Sequence, residues 1–469
     1  EMLRSLVGSE MCIRDRPKFL FTYSTDGQGT VSRNFHDWAR RYGLHAGTKE
    51  RPILMNSWEG AYFNFDEQML TDMMDDAAEL GVELFVLDDG WFGNKYPRNS
   101  DSMGLGDWQV NEKKLPRGIQ YLIDHATSKG LKFGIWIEPE MVNPKSELAE
   151  RHPKWIVQSP GREQITMRNQ LLLDLTNPDV QEFVWNVVDK LLSTYPDIYY
   201  IKWDANRHVE QVGSPYLLPE EQMHFWVDYI RGLYRVYDRI RAKYPDVMLQ
   251  ACASGGGRVD YGSLPYHDEF WTSDNTDALQ RVYMQYATNL IYPPVATASH
   301  VSASPGHQTG SITPLKFRFD VAMSGRLGLE LQPKDIPAEE MAFAREAIAN
   351  YKTHVRELVT KGDLYRLISP YECTNNHAAN LLVRKDKSKA VLFAYCTGFN
   401  RRGIRPTVHL HGLDASKRYR ITEINKAGKR KAFWGEGHIY DGTYLQQVGI
   451  ELQIARQYDS AVFLLEEVK

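Results

Sequence analysis

Between about residues 48 and 300 the chain repeats one device: a short apolar, β-rich run ends in polar or acidic residues, and a helical pattern usually comes next. The runs are ILMNSWE (53–59), LFVLDDGW (84–91), KFGIWIEPE (132–140), LLLDLTN (171–177), YIKWDAN (200–206), MLQACAS (248–254), EFWTSDNT (269–276) and VATASH (295–300). Apolar runs of this length without strict alternation suit parallel strands buried on both faces. The intervening helices follow from spacing. Asn177-Pro178 places a capping residue before proline at a first helical position, and Val180, Phe183, Val184, Val187, Val188, Leu191 and Leu192 then recur at helical intervals. Phe225, Tyr229, Leu233, Val236 and Ile240 form a second stripe, and Gly81 stands just past Leu70–Leu80 as a natural helix stop.

Eight such runs alternating with helices over roughly 300 residues predict a (β/α)8 TIM barrel. A doubly wound sheet is the rival, but no run leads into GxGxxG, and Gly104-Leu105-Gly106 lacks the third glycine. After residue 357 the helical pattern disappears. Ala378–Val383 and Ala390–Tyr395 flank a charged turn, and Thr407–His411, Arg418–Ile424 and Ala461–Leu465 read as further strands. These predict a small antiparallel β domain, a sandwich. The expected division is therefore 1–47 as a remnant or linker, 48–357 as the barrel and 358–469 as the β domain. Residues 1–16 show no clear period and read as foreign to the rest of the chain.

Composition narrows the function classes. The 469 residues are 42% apolar and 25% charged, an ordinary globular balance. Lys plus Arg number 56 against 60 Asp plus Glu, a net charge of −4, which gives no footprint for nucleic acid or an anionic membrane. No apolar stretch approaches the roughly 18 residues of a spanning helix. No signal peptide opens the chain, and Cys12, Cys252, Cys373 and Cys396 are scattered without CxxC spacing, so a reducing, cytoplasmic setting is expected. The 14 histidines include no HExxH, and no GxSxG elbow is present, so neither a zinc hydrolase nor a serine hydrolase is indicated.

In a barrel, active sites gather at the C-terminal strand ends. Here those ends carry Trp58, Asp88, Asp89, Trp136, Glu138, Glu140, Asp174, Lys202, Asp204, Asn206, Cys252, Asp274, Asp277 and His300. Solvation alone explains any one of them, but carboxylates on five of eight ends suit a converging pocket. Two carboxylates flanking a glycosidic bond are what its hydrolysis requires. Residues 202, 204 and 206 share one side of an extended segment, so Lys202, Asp204 and Asn206 are expected to point into the mouth, with the ammonium favouring an ionised Asp204. Asp274 ends the seventh run and is the candidate acid and base. The bland alternatives are a Lys–Asp ion pair for Asp204 and a turn or capping aspartate for Asp274. Asp88 and Asp89 are adjacent acids, and a turn starting at Gly90 would let both face the same pocket; a metal site is the competing idea, but no histidine or third acid lies at ligand spacing. Trp58 and Trp136 either stack on a pyranose or fill the barrel.

WDANR around Asp204, LDDGW at 87–91, WTSDNTDA at 271–278, CASGGGR at 252–258 and PGHQTG at 305–310 together resemble the α-galactosidases of glycoside hydrolase family 36, over about residues 30–469. The resemblance implies a retaining α-galactosidase needing no metal or other cofactor, with Asp204 as nucleophile and Asp274 as acid/base. It implies galactose binding by Asp88, Asp89, Lys202, Asn206, Trp58, Trp136, Arg168 and Cys252, and α-galactosides such as melibiose and raffinose as partners, with neither nucleic acid nor membrane. Bacterial members are often tetramers in which an N-terminal β-sandwich closes a neighbour's pocket; residues 1–47 are expected to stand in place of that domain, which puts homo-oligomerisation in question. An α-N-acetylgalactosaminidase or galactosyl transferase on the same scaffold is the nearest alternative. A binding fragment without turnover is the different-class one.

Overall fold

The computed structural model describes residues 20–210, 212–372, 376–399, 405–428 and 432–468; residues 1–16, with their foreign texture, lie outside them. The first ten strands are β1 (Leu54–Asn56), β2 (Leu84–Leu87), β3 (Lys132–Ile137), β4 (Met141–Val142), β5 (Leu171–Leu172), β6 (Ile198–Trp203), β7 (Met248–Ala251), β8 (Glu269–Trp271), β9 (Thr297–Ser302) and β10 (Arg326–Glu330). All but β4 and β5 are parallel and close into an eight-stranded barrel, in the order β1-β2-β3-β6-β7-β8-β9-β10 and back to β1.

Two strand expectations need correcting. The run 171–177 is not a barrel strand: Leu171 and Leu172 pair antiparallel with Val142 and Met141. Beyond them the Asp174 carboxylate takes the Thr176 and Ser214 hydroxyls and closes a turn. An apolar run reports burial, and burial alone does not choose between parallel and antiparallel pairing. The eighth barrel strand is instead β10, whose Arg326 and Glu330 give it the look of a surface segment. Inside the barrel Arg326 is 1% exposed and pairs with Glu269 at 2.8 Å. Tyr200 and Gln250 donate to the same carboxylate, so a polar layer crosses the barrel with its charges partnered. Gly328 on this strand makes room for His300, whose ring would lie 2.4 Å from an added Cβ.

The helices follow their stop and start signals. Asn177 accepts from the Asp179 amide at 2.9 Å, with Pro178 in the first turn of the helix Pro178–Thr194. Gly81 ends the helix Glu67–Leu80 at φ 90, where a side chain would be strained. Phe225, Tyr229, Leu233, Val236 and Ile240 are all buried on one side of the helix Phe225–Lys243. Each such side chain contributes about 1.5–3 kcal/mol of burial. Ahead of the barrel, where a linker was expected, Gln28–Trp38 is helical. Just past its end, Arg40 donates to the carbonyls of Thr360 and Gly362, fastening this segment to the end of the helix Arg356–Lys361.

The C-terminal part begins at β11 (Asp363–Ile368) and continues through β12 (His377–Val383), β13 (Lys389–Cys396), β14 (Thr407–Val408), β15 (Arg418–Ile424), β16 (Ile439–Asp441), β17 (Ile450–Glu451) and β18 (Ser460–Glu467). Six of these form an antiparallel sheet, β11-β12-β13-β18-β15-β16, and β14 pairs with β17 separately. Period-two alternation explains its double burial. Ala378, Leu382, Val391, Phe393 and Tyr395 join the large core that contains the barrel, whereas Ala379, Leu381, Val383, Ala390 and Leu392 join a second core with Val408 and Ile450 of the small sheet. Among the described residues, no helix is long and apolar enough to cross a membrane.

Candidate active site

Nine of the ten candidate residues line one cavity of about 210 Å³ at the C-terminal end of the barrel: Trp58, Asp88, Asp89, Trp136, Arg168, Lys202, Asp204, Asn206 and Asp274. Cys252 does not line it. Its side chain packs with Trp271 and Ala298, and burial, followed by the charge of Asp204, pushes its thiol well above the usual range.

Asp204 directly follows β6 and is 6% exposed. Its Oδ2 accepts from Trp136 Nε1 at 3.0 Å and from Asn206 Nδ2 at 2.7 Å, and its Oδ1 accepts from the Ala205 amide at 2.9 Å. Donors of this number and kind suit a carboxylate that carries charge. Trp136 is thereby an orienting group: it is 1% exposed, and its ring lies parallel to that of Phe92. Asn206 is fixed in turn, because its Oδ1 accepts from the Ser254 backbone amide and its own backbone N–H donates to Glu138. Burial and then the charge of Asp204 hold the Glu138 carboxyl up at about 8.

Lys202 and Asp204 do not form the ion pair that is the bland alternative for Asp204. The Lys202 ammonium reaches Asp88 Oδ2 at 2.8 Å, and Asn56 Nδ2 donates to the same oxygen at 2.6 Å. Burial opposes the Lys202 charge, but Asp88 and the surrounding acids outweigh it and raise its pKa. Asp89 turns the other way at Gly90, which sits at φ 112, and meets a partner that sequence reasoning missed. Arg98 clasps both of its oxygens, at 2.8–3.2 Å, and is 1% exposed. Burial still raises the Asp89 pKa against that guanidinium. The two adjacent acids therefore each have a cation, and both line the cavity.

Asp274 is set differently. It follows β8, and Trp271 Nε1 donates to its Oδ1 at 3.1 Å. Water reaches it through the mouth, so it counts as exposed, yet it is sunk among protein walls. Desolvation by those walls, then the charge of Asp204, raises its pKa, with Lys202 and Arg168 opposing. The glycines after Cys252 serve this residue: Gly255 has φ +86, and a Cβ there would fall 2.6 Å from Ser273 Cα and 3.0 Å from the Asp274 amide nitrogen. Gln308, in a loop after β9, donates to the Asp274 carbonyl at 2.6 Å. Arg168, exposed and at φ 49, reaches Ser254 Oγ at 3.5 Å.

Other strand-end acids are structural. Glu140 takes two bonds from Arg258 and one each from Trp203 and Tyr229. Asp277 caps the helix Ala278–Thr288 by accepting from the Gln280 amide. Cavity-lining residues that the sequence pattern did not single out are Glu59, Tyr62, Trp271, His307, Gln308 and Glu330. Among the described residues, no group of three His, Cys, Asp or Glu side chains is placed to hold a metal ion.

Acids facing one another across a cavity at the C-terminal mouth of a closed parallel barrel define the architecture of the barrel glycoside hydrolases. Within that class the chain belongs to the Melibiase family, whose model matches residues 14–362, and the glycosyl hydrolase family 36 C-terminal domain matches residues 377–465. It is 41% identical over 461 residues to α-galactosidase C of Emericella nidulans, covering 96% of this chain and 58% of that one. It is 40% identical to α-galactosidase AgaA of Geobacillus stearothermophilus over 93% of this chain and 57% of that one. The crystal structure of an AgaA variant in complex with raffinose superposes with a TM-score of 0.89, covering 95% of this chain and 60% of that one. The chain thus spans somewhat under two thirds of the length of these relatives.

Proposed function

We propose that this protein hydrolyses terminal α-D-galactosyl residues of galacto-oligosaccharides with retention of configuration, through a covalent galactosyl-enzyme. The observation that carries this is the unequal setting of two aspartates on one cavity. Asp204 is held by three N–H donors, whereas Asp274 has one side-chain donor and a raised pKa. Retaining hydrolysis needs that inequality: an ionised nucleophile beside an acid that keeps its proton. Crystals of AgaA variants hold raffinose and stachyose, which makes these two sugars the first substrates to test here.

In the first step Asp204 attacks the anomeric carbon as Asp274 gives its proton to the departing oxygen. In the second, Asp274 takes a proton from water, the water attacks the same carbon, and the Asp204 ester breaks to release galactose. Asp88 and Asp89 accept hydroxyls of the bound ring, each kept in place by its own cation, while Lys202 has further N–H donors to offer an adjacent hydroxyl. The cavity is smaller than the roughly 300–1,000 Å³ typical of drug-sized ligands, a size suited to one sugar ring.

An aryl α-galactoside, supplied beside the matching N-acetylgalactosaminide and followed by proton NMR, tests this reading. α-Galactose should form first, ahead of its mutarotation; β-galactose first, or faster cleavage of the acetamido sugar, would contradict it. The pH profile carries its own expectation. The raised pKa of Asp274 keeps its proton on above the ordinary value of 3.8, so kcat/KM should fall on the alkaline side only as that proton leaves. The part of that limb due to Asp274 should vanish in Asp274→Asn, leaving only what the buried Glu59 and Glu138 contribute, and an alkaline side left unchanged by the substitution would speak against Asp274 as the acid. Gly255→Ala should push on Ser273 and Asp274 and lower kcat/KM by on the order of a hundredfold, the effect of about 1 Å of misplacement, with circular dichroism unchanged. Wild-type kinetics in that variant would show that the contact does not set the acid's position.

A further inference from the structure

One wall of the cavity has a carboxyl group to which the two-step reaction assigns nothing. Glu59 follows Trp58 in the short helix Trp58–Ala61, lines the cavity and is 8% exposed. Thr276 Oγ1 donates to its Oε1 at 2.7 Å, and its Oε2 is buried with no hydrogen-bond partner among the described residues. A structural acid this deep would be expected to hold a cation. The nearby guanidinium, Arg281, is committed elsewhere, donating to the carbonyls of Ser273, Asn275 and Ala298. Nor is Glu59 free to swing away. A Cβ on the next residue, Gly60, would lie 2.9 Å from Met73 Cε and 3.0 Å from the Leu331 carbonyl carbon, so the short helix sits tightly against its neighbours.

A buried polar atom without a partner carries a desolvation cost that a ligand would relieve. We propose that Glu59 is a further substrate-binding residue, its Oε2 forming a hydrogen bond with one hydroxyl of the sugar ring while Thr276 holds its Oε1. Burial and then the charge of Glu330 raise its carboxyl well above the ordinary range, which favours a proton on Oε2, the oxygen that Thr276 leaves free to donate. The ring is thereby held from two sides, by the ion-paired Asp88 and Asp89 and by a neutral acid on the wall next to Trp58. A site of this kind discriminates against sugars lacking the matching hydroxyl, because the buried acid is then left without a partner.

This inference rests on the galactosidase reading, and calorimetric titration of the whole chain separates the two. The probes are galactose, glucose and each monodeoxygalactose, with wild type, Glu59→Met and Glu59→Gln. Wild type should prefer galactose to glucose; no such preference would remove the galactosidase reading and this inference with it. Omitting the hydroxyl that meets Glu59 should weaken wild-type binding about tenfold. In Glu59→Met, which keeps the volume of the side chain, that one gap should close to within about twofold while the gaps for the other hydroxyls persist. In Glu59→Gln, which keeps the Thr276 contact, the same gap should change at least about threefold and the others stay within about twofold. Gaps that are all unchanged, or that all shrink together, in either variant would overturn the assignment, since a merely structural Glu59 cannot single out one hydroxyl.

Discussion

Replacing Asp204 by alanine or asparagine should lower kcat/KM for an aryl α-galactoside by about 10⁴-fold or more, with the circular dichroism of the folded protein retained. The loss is expected to be this large because the covalent step has no substitute. Oriented donors from Trp136, Asn206 and the Ala205 amide would then surround a group that cannot attack. Added azide should restore part of the rate in Asp204→Gly by entering from the face that the carboxylate occupied, giving β-galactosyl azide. Full activity in any of these variants would displace Asp204 from its role. The substitution also removes the negative charge that helps raise the Asp274 pKa, so Asp274 should titrate at lower pH in Asp204→Asn.

Asp274→Ala should behave differently with different leaving groups. For raffinose, whose departing alkoxide needs a proton, kcat/KM should fall by about 10²–10⁴-fold, the usual range for a general acid. For a dinitrophenyl galactoside, whose leaving group departs unprotonated, the first step should be little affected. Hydrolysis of the galactosyl-enzyme then becomes limiting because no base activates water, and a burst followed by slow turnover is expected. Azide should relieve that slow step and give α-galactosyl azide, the opposite anomer from the Asp204→Gly reaction. An equal loss for both substrates, with no burst and no azide product, would show that Asp274 is not the proton donor.

How much of the fold and site could be read in the sequence depends on what kind of signal each residue leaves. Asp204, Asp274 and the Asp88–Asp89 pair stand at the ends of apolar runs, and a barrel brings such ends to one mouth, so position in the chain sufficed to bring them together. The exchange of 171–177 for β10 shows the limit of that signal. Leu171–Leu173 are as apolar as a buried strand, while Arg326 and Glu330 disguise one, because Arg326 is neutralised by Glu269 and Glu330 is hydrogen-bonded to His300, both from other strands. Long-range pairing of this kind leaves no local pattern. The same is true of Arg98, whose partner Asp89 lies nine residues away with no periodicity to suggest it, and of Glu59, which is bonded by Thr276 from across the barrel. Alternation points Lys202 into the mouth, where it lines the cavity, but alternation does not tell which acid an ammonium will choose. Asp88 has the better claim, because it lies across the barrel at 2.8 Å while Asp204 already has its donors.

The most direct test of Asp204 as nucleophile is to catch the covalent intermediate. A fluorinated α-galactosyl fluoride destabilises the oxocarbenium-like transition state of both steps, while its reactive leaving group lets the first step outrun the second. Incubation with the intact chain, followed by mass spectrometry of the protein and its peptides, should show one fluorogalactosyl group on the peptide bearing Lys202, Trp203 and Asp204, attached at Asp204 and absent from Asp204→Asn. Labelling of a different carboxylate, or steady release of fluoride with no adduct under conditions where wild type turns over, would contradict the mechanism.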